Sequence, residues 1–113
     1  MTSDCLFCRI VGGEIASAIV AQDDHCIAFR DINPQAPTHI LVIPVQHVAS
    51  VNELDDPAIA GRLFAMAREV AEAEGIAESG FRLVVNTGDD GGQTVHHLHL
   101  HLLGGRSLSW PPG

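Results

Sequence analysis

The chain contains no lysine: its six basic residues are all arginines, against fourteen acidic residues, and the formal net charge is −8. Proteins that bind the phosphate backbone of nucleic acids do so with basic patches. The charge balance therefore excludes nucleic acid as a partner of that kind. A single phosphate group can still be bound, by backbone N–H groups and histidines instead of a lysine cluster.

Long apolar runs are also missing from the sequence. No stretch approaches the roughly 20 apolar residues that cross a membrane, and the first residues lack the basic and then apolar order of a signal peptide. The three cysteines are an odd number, and Cys5 and Cys8 are too close for an ordinary framework disulfide. We therefore predict a reduced, cytoplasmic protein with no membrane partner.

The 113 residues are 46% hydrophobic, which is enough for one domain with a single core and excludes a disordered chain. No repeat or linker divides them, so we predict a single domain over 1–113.

Asp56 can cap a long helix, Pro57 suits its first turn and Gly75 its end. Apolar periodicity and turn residues predict helices over 4–12 and 57–74 and strands over 17–21, 25–29, 39–43, 81–86 and 94–103. Strand pairs, a helix and a final hairpin indicate an α+β fold with an antiparallel sheet.

The most informative segment is a row of three histidines separated by leucines. Side chains alternate between the two faces of a strand, so His97, His99 and His101 are expected on one face, about 6.5–7 Å apart. The intervening leucines are expected to pack into the core. One histidine on a strand is usually a solvated residue, but three in register indicate a metal site or nucleophilic and acid–base chemistry.

The loop before this row favours an anion site. Gly91 and Gly92 can bring backbone N–H groups close to a ligand, and Thr94 adds a hydroxyl group. Asn86 is expected across the hairpin from this loop. These neutral donors next to imidazoles indicate phosphate binding, although the glycines alone are more often those of an ordinary hairpin turn. If the ligand is a nucleotide, Asp31 can accept hydrogen bonds from its ribose hydroxyls.

Cys5 and Cys8 form a C-x-x-C motif, which is half of a zinc site. His47 and one histidine from 96–101 can supply the other two ligands. Free thiols and a redox pair are the alternatives, but redox motifs usually follow a strand in a βαβ unit, a pattern that this sequence lacks.

The segment from His97 to Leu103 fits the signature His-φ-His-φ-His-φ-φ, in which φ is apolar. On this segment the chain resembles the histidine triad (HIT) superfamily, and the ending Trp110-Pro111-Pro112-Gly113 resembles its Hint branch. The likeness covers nearly the whole chain. Other matching stretches are Phe29-Arg30-Asp31-Ile32, Pro34-Gln35-Ala36-Pro37-Thr38-His39, Val84-Val85-Asn86, Gly91-Gly92-Gln93-Thr94-Val95 and Leu103-Gly104-Gly105-Arg106.

The resemblance implies a HIT-like fold with a five-stranded antiparallel sheet, one long and one short helix, and a homodimer with a continuous ten-stranded sheet. It implies a purine nucleoside phosphoramidase that needs no cofactor for its chemistry. The nucleophile falls on His99, and its catalytic partners fall on His97, His101 and His39. A structural zinc ion would be held by Cys5, Cys8, His47 and His97. Contacts to the purine nucleotide, which is AMP, GMP or an adenosine phosphoramidate, fall on Phe7, Ile10, Asp31, Ile32, Asn86, Gly92, Gln93, Thr94, His99 and His101.

Three other functions remain open at this point: a non-catalytic purine nucleotide-binding or sensor module, a diadenosine polyphosphate hydrolase, and a metal-dependent hydrolase in which the histidine row holds the metal. The sequence also departs from the pattern of the family. Arg30 stands where many Hint proteins carry histidine, and residues 107–109 match only loosely.

Overall fold

A computed structural model describes residues 4–113 of the chain. Its elements follow the α+β order expected from the sequence. The helices are α1 (Leu6–Val11), a 3-10 turn (Val51–Glu53) and α2 (Pro57–Ala73), and the strands are β1 (Ile19–Gln22), β2 (Cys26–Arg30), β3 (Thr38–Pro44), β4 (Phe81–Val84) and β5 (Leu100–Gly104). No helix in the part of the chain described is long and apolar enough to span a membrane.

In residues 4–113 five strands form one antiparallel sheet, in the order β1-β2-β3-β5-β4. This confirms the five-stranded antiparallel sheet, with one long and one short helix, that the resemblance implies. β5 lies between β3 and β4, and His101 is aligned with Leu41 on one side and Val84 on the other. The final strand therefore carries His101 into the middle of the sheet.

The long helix begins and ends as its sequence predicts. Oδ1 of Asp56 accepts a hydrogen bond from the N–H of Ala58 at 3.0 Å, Pro57 occupies the first turn, and Gly75 follows the helix with a φ of 75°. A positive φ is accessible to glycine at little cost, which makes it a common helix stop.

Alternate residues of the central strands pack on opposite faces of the sheet. On the α2 face, Leu98, Leu100 and Leu102 join Ile40 and Val42 in a buried cluster with that helix. On the other face, α1 packs Phe7 and Ile10 against a second cluster of strand residues, which are Ile27, Phe29, Leu41 and Ile43. The predicted leucine side of the histidine row is therefore correct.

The predicted strand over 94–103 is wrong at its beginning, because the structure places β5 only at Leu100–Gly104. Before Leu100, the backbone bonds to a loop: the N–H of Leu98 donates to the carbonyl of Val48 at 2.7 Å. β4 correspondingly ends at Val84, two residues before the predicted end. The hairpin between β4 and β5 therefore has a longer connection than the sequence suggested, and His97 and His99 lie in it.

Candidate active site and metal centre

A cavity of about 300 Å³ lies on the α1 face of the sheet. Seven of the residues predicted to contact a nucleotide line it: Phe7, Ile10, Asp31, Ile32, Thr94, His99 and His101. The cavity also has apolar walls that were not predicted from the sequence, among them Phe29 and Leu41. Their signal was the alternation along β2 and β3, which places both residues on the histidine side of the sheet.

The other three predicted contacts, Asn86, Gly92 and Gln93, are not part of the cavity lining. The side-chain amide of Gln93 is occupied by backbone groups. Its Nε2 donates to the carbonyls of Ala49 at 2.8 Å and Val95 at 3.1 Å, and its Oε1 accepts from the N–H of Gly88 at 3.1 Å. The structure therefore shows Gln93 as a support of the loop in front of the histidines.

The backbone conformation of this loop requires glycine at two positions. A Cβ atom at Gly91 would lie 2.3 Å from the carbonyl oxygen of Thr87, and Gly92 has a φ of 80°. The first position therefore requires a close backbone approach and the second a left-handed conformation, both of which favour glycine. The glycine pair is needed to form a tight turn, whatever ligand the loop contacts.

His99 is buried and held in one orientation. Its Nδ1 donates to the carbonyl oxygen of His97 at 2.6 Å, and its ring packs edge-on against Phe7 with a centroid distance of 5.0 Å. Burial lowers the pKa of His99 below its usual value. A neutral imidazole carries one N–H. Because that N–H is on Nδ1, Nε2 keeps its lone pair, and His99 can act as a nucleophile.

His39 and His101 form a hydrogen-bonded pair beside it. Nε2 of His39 lies 2.9 Å from Nδ1 of His101 and 3.4 Å from Oδ2 of Asp31, and Nδ1 of His39 accepts from the backbone N–H of Gln35 at 3.0 Å. Burial lowers the pKa of His39, and burial together with His99 and His39 lowers the pKa of His101 to about 4. Both rings are therefore neutral near pH 7, and the contact between His39 and Asp31 is a hydrogen bond, not an ion pair.

The predicted metal ligands Cys5, Cys8, His47 and His97 come together, with ligand atoms all within 4.8 Å of one another. Nδ1 of His97 lies 3.3 Å from Sγ of Cys5, 3.5 Å from Sγ of Cys8 and 3.2 Å from Nδ1 of His47. Tetrahedral zinc with bonds of 2.0–2.3 Å separates such atoms by about 3.3–3.8 Å. The donor set and its spacing therefore fit zinc.

A second contact of His97 supports this assignment. Its Nε2 donates to the carbonyl of Pro44 at 2.8 Å, so Nδ1 is the nitrogen left to bind a metal. Ligating histidines usually donate their other N–H to a carbonyl or a carboxylate in this way. His97 does not line the cavity, and it contacts His99 through its backbone carbonyl.

The HIT domain model matches residues 12–108. The chain belongs to the HIT domain family. An uncharacterised HIT-like protein from Synechococcus elongatus is 53% identical over 115 residues, which cover 100% of both chains. The purine nucleoside phosphoramidase of Escherichia coli is 51% identical over 110 residues, covering 96% of this chain and 92% of that protein. A HIT family hydrolase from Legionella pneumophila superimposes with a TM-score of 0.95 at 50% identity, covering 97% of this chain and 100% of its own.

A metal ion held by the histidine row is not favoured in this HIT protein. His97 bonds with the cysteine cluster, and Nδ1 of His99 is taken by a carbonyl. Asp31, His39 and His101 do lie close enough together for a metal. However, the Gln35 N–H occupies Nδ1 of His39, so the proton of that ring is on Nε2, where a metal would have to bind. This second cluster therefore fits a hydrogen-bond chain better than a metal site.

Arg30, where this HIT chain departs from many Hint proteins, lies at the rim of the cavity. Its guanidinium binds both carboxylate oxygens of Glu74, at 2.8 and 3.0 Å, and that hydrogen bond raises the pKa of Arg30. The charged end of Arg30 is therefore engaged with the end of α2. Arg82 on β4 contacts the loosely matched tail: it donates to the carbonyl of Ser109 at 2.8 Å and lies over the ring of the following Trp110.

Proposed function

We propose that this protein hydrolyses the P–N bond of purine nucleoside 5′-phosphoramidates through a covalent nucleotidyl intermediate on His99. The observation that carries the proposal is the 2.6 Å hydrogen bond from Nδ1 of His99 to the carbonyl of His97, in a ring that lines the cavity. It leaves a neutral, oriented nucleophile beside His101. The 51% identity to a purine nucleoside phosphoramidase supports the same chemistry.

The cavity suits a nucleotide in size and lining. The aromatic and aliphatic side chains of Phe7, Ile10 and Phe29 form an apolar slot of the kind that holds a purine. Asp31, at the end of β2, can accept hydrogen bonds from the ribose hydroxyls. The phosphate would then lie between His99 and Thr94, whose hydroxyl group can bind its oxygens. The backbone N–H groups of Gly92 and Gln93 donate to carbonyls within their own turn and support the loop instead.

In the first step, Nε2 of His99 attacks the α-phosphorus, a P–N(His) bond forms and the bond to the leaving amine breaks. The amine takes a proton from His101 or from the phosphate. In the second step, water attacks the phosphorus, releases the nucleoside monophosphate and returns the imidazole. While phosphorylated, the His99 ring is cationic, because it keeps the proton on Nδ1. The carbonyl of His97 accepts this N–H and stabilises the positive charge.

We further propose that Cys5, Cys8, His47 and His97 hold a structural zinc ion. When bound, the ion contributes folding free energy and takes no part in the chemistry. The four ligands come from α1 and its N-cap, the loop after β3 and the loop before β5. Phe7, between the two cysteines, packs against His99. The centre therefore fixes the wall of the cavity and the carbonyl that orients the nucleophile.

A homodimer is also part of the proposal. β4 lies at one edge of the sheet, and Phe81 on it and Val85 just after it are exposed apolar residues. Edge strands offer backbone groups to a second strand. We expect light scattering at micromolar concentration to give twice the chain mass of 12.0 kDa. A mass of one chain would contradict the continuous ten-stranded sheet.

The substrate test compares three ligands with the purified protein. We expect adenosine 5′-phosphoramidate to be converted to AMP and ammonia, and a diadenosine polyphosphate to be cleaved much more slowly. Faster cleavage of the dinucleotide would assign the protein to the diadenosine polyphosphate hydrolases. Calorimetric binding of AMP without turnover of either substrate would instead identify a nucleotide-binding module.

A further inference from the structure

We propose that the backbone N–H of Gln35 sets the proton positions on His39 and His101, so that His101 presents an N–H to the leaving amine. Gln35 is thus a positioning residue that acts through its main chain. The assignment of the protons is independent of the reaction, but the consequence for catalysis rests on the proposed phosphoramidase function.

The first step concerns His39. A backbone amide can only donate, so the 3.0 Å contact from the N–H of Gln35 requires an unprotonated Nδ1 on His39. A neutral imidazole has a single N–H, which must then be on Nε2. The imidazolium form, with a hydrogen on both nitrogens, is disfavoured for two reasons. Burial lowers the pKa of His39, and an N–H on Nδ1 would face the N–H of Gln35.

The second step transfers this constraint to His101. Nε2 of His39 and Nδ1 of His101 face each other at 2.9 Å, and only one of the two nitrogens can carry the hydrogen. Because His39 carries it, Nδ1 of His101 accepts, and the only N–H of His101 is on Nε2. The side chain of Asp31, 3.4 Å from Nε2 of His39, is a second acceptor for the same hydrogen and reinforces this arrangement.

The chemical consequence is a donor placed beside a nucleophile. His99 has the opposite tautomer, since its Nδ1 donates to the carbonyl of His97. The two rings are 5.0 Å apart between centroids and both line the cavity. A phosphoramidate bound there would meet a lone pair on Nε2 of His99 and an N–H on Nε2 of His101. With the other tautomer, His101 would present a second lone pair and could not donate to the amine.

The loop that carries Gln35 is held in place from several sides. Nη2 of Arg106 donates to the carbonyl of Gln35 at 2.9 Å, and Oδ1 of Asp31 accepts from the N–H of Asn33 at 2.8 Å. The side chain of Gln35 itself turns back to the carbonyl of Asn33 at 3.0 Å. The backbone amide that controls the tautomers is therefore part of a fixed loop, and the side chain of Gln35 bonds within that loop.

The test reads the tautomers directly by long-range ¹⁵N–¹H NMR of the histidine rings at pH 7. In the wild type we expect the hydrogen on Nε2 of both His39 and His101 and on Nδ1 of His99. Gln35→Pro deletes the N–H, and we expect part of His101 to shift its hydrogen to Nδ1. The matched variant Gln35→Ala retains the N–H and loses only the bond to Asn33, so the wild-type pattern should persist. A wild-type His101 with its hydrogen on Nδ1 would overturn the proposal, whether or not the proline variant folds.

Turnover then separates this inference from the proposed function. We expect kcat of Gln35→Pro to be at least about tenfold below that of Gln35→Ala, because general-acid assistance is weakened, while the two KM values agree within about twofold. Equal kcat values in two folded variants would refute the role in catalysis. If instead the expected tautomers are found in a protein that hydrolyses no phosphoramidate, the proton assignment stands and the proposed function fails.

Discussion

His99→Ala is expected to lower kcat for adenosine 5′-phosphoramidate by at least about a thousandfold. The substitution removes the nitrogen that attacks phosphorus. His101 cannot replace it, because its Nδ1 accepts from Nε2 of His39 at 2.9 Å and its Nε2 then carries a hydrogen and has no lone pair. Loss of a covalent nucleophile typically costs several orders of magnitude in rate. The measurement is AMP release at saturating substrate by wild type and variant, side by side.

The control for this experiment is His96→Ala. His96 belongs to the same run of histidines, is exposed and does not line the nucleotide cavity, so we expect this variant to retain most of its activity. AMP should still bind to His99→Ala, because the purine slot and Asp31 are intact, and free imidazole should partly restore turnover in His99→Gly. Residual activity above a few per cent in His99→Ala, without added imidazole, would remove His99 as the nucleophile.

Alternation along the chain predicted which side chains share a face, and this part of the interpretation succeeded. Leu98, Leu100 and Leu102 are buried against α2, and His99 and His101 line the cavity on the other side. The same alternation failed to predict where β5 begins. Strand pairing depends on a partner, and the N–H of Leu98 bonds to Val48, fifty residues earlier in the chain. Nothing in residues 94–99 themselves reveals that contact.

Predicting roles was harder than predicting positions, for the same reason. Gln93 carries polar atoms typical of a phosphate site, yet its amide bonds to Ala49 and to its own loop. His97 belongs to the triad by sequence, but its ring joins the cysteine cluster and only its carbonyl supports His99. The direction of a hydrogen bond depends on groups that spacing does not show, such as the N–H of Gln35 beside His39.

Removal of the metal is expected to have the second-largest effect, on stability and on nucleotide affinity together. α1 has six residues, far fewer than an isolated helix needs, so its position depends on the core contacts of Phe7 and Ile10 and on the ligands around them. A ligand present at a thousand times its Kd stabilises a protein by about 4 kcal/mol. Because each kcal/mol is worth about 4–8 °C in a domain of this size, Tm should fall by at least about 10 °C with EDTA.

The matched variants assign this loss to the proposed ligands. Protein purified without a chelator should contain one zinc ion per chain by elemental analysis, and Cys5→Ser and Cys8→Ser should contain much less. EDTA should lower the Tm of the wild type but leave that of either variant nearly unchanged, since they have no metal to lose. AMP should bind the metal-free protein more weakly, because Phe7, which lies between the two cysteines, forms a wall of the cavity and packs against His99. A metal content near zero in the wild type, or an EDTA-treated protein with unchanged Tm and AMP affinity, would contradict the zinc centre. The hydrogen bonds of the cysteines to His47 and His97 would then contribute to the position of α1 without a metal.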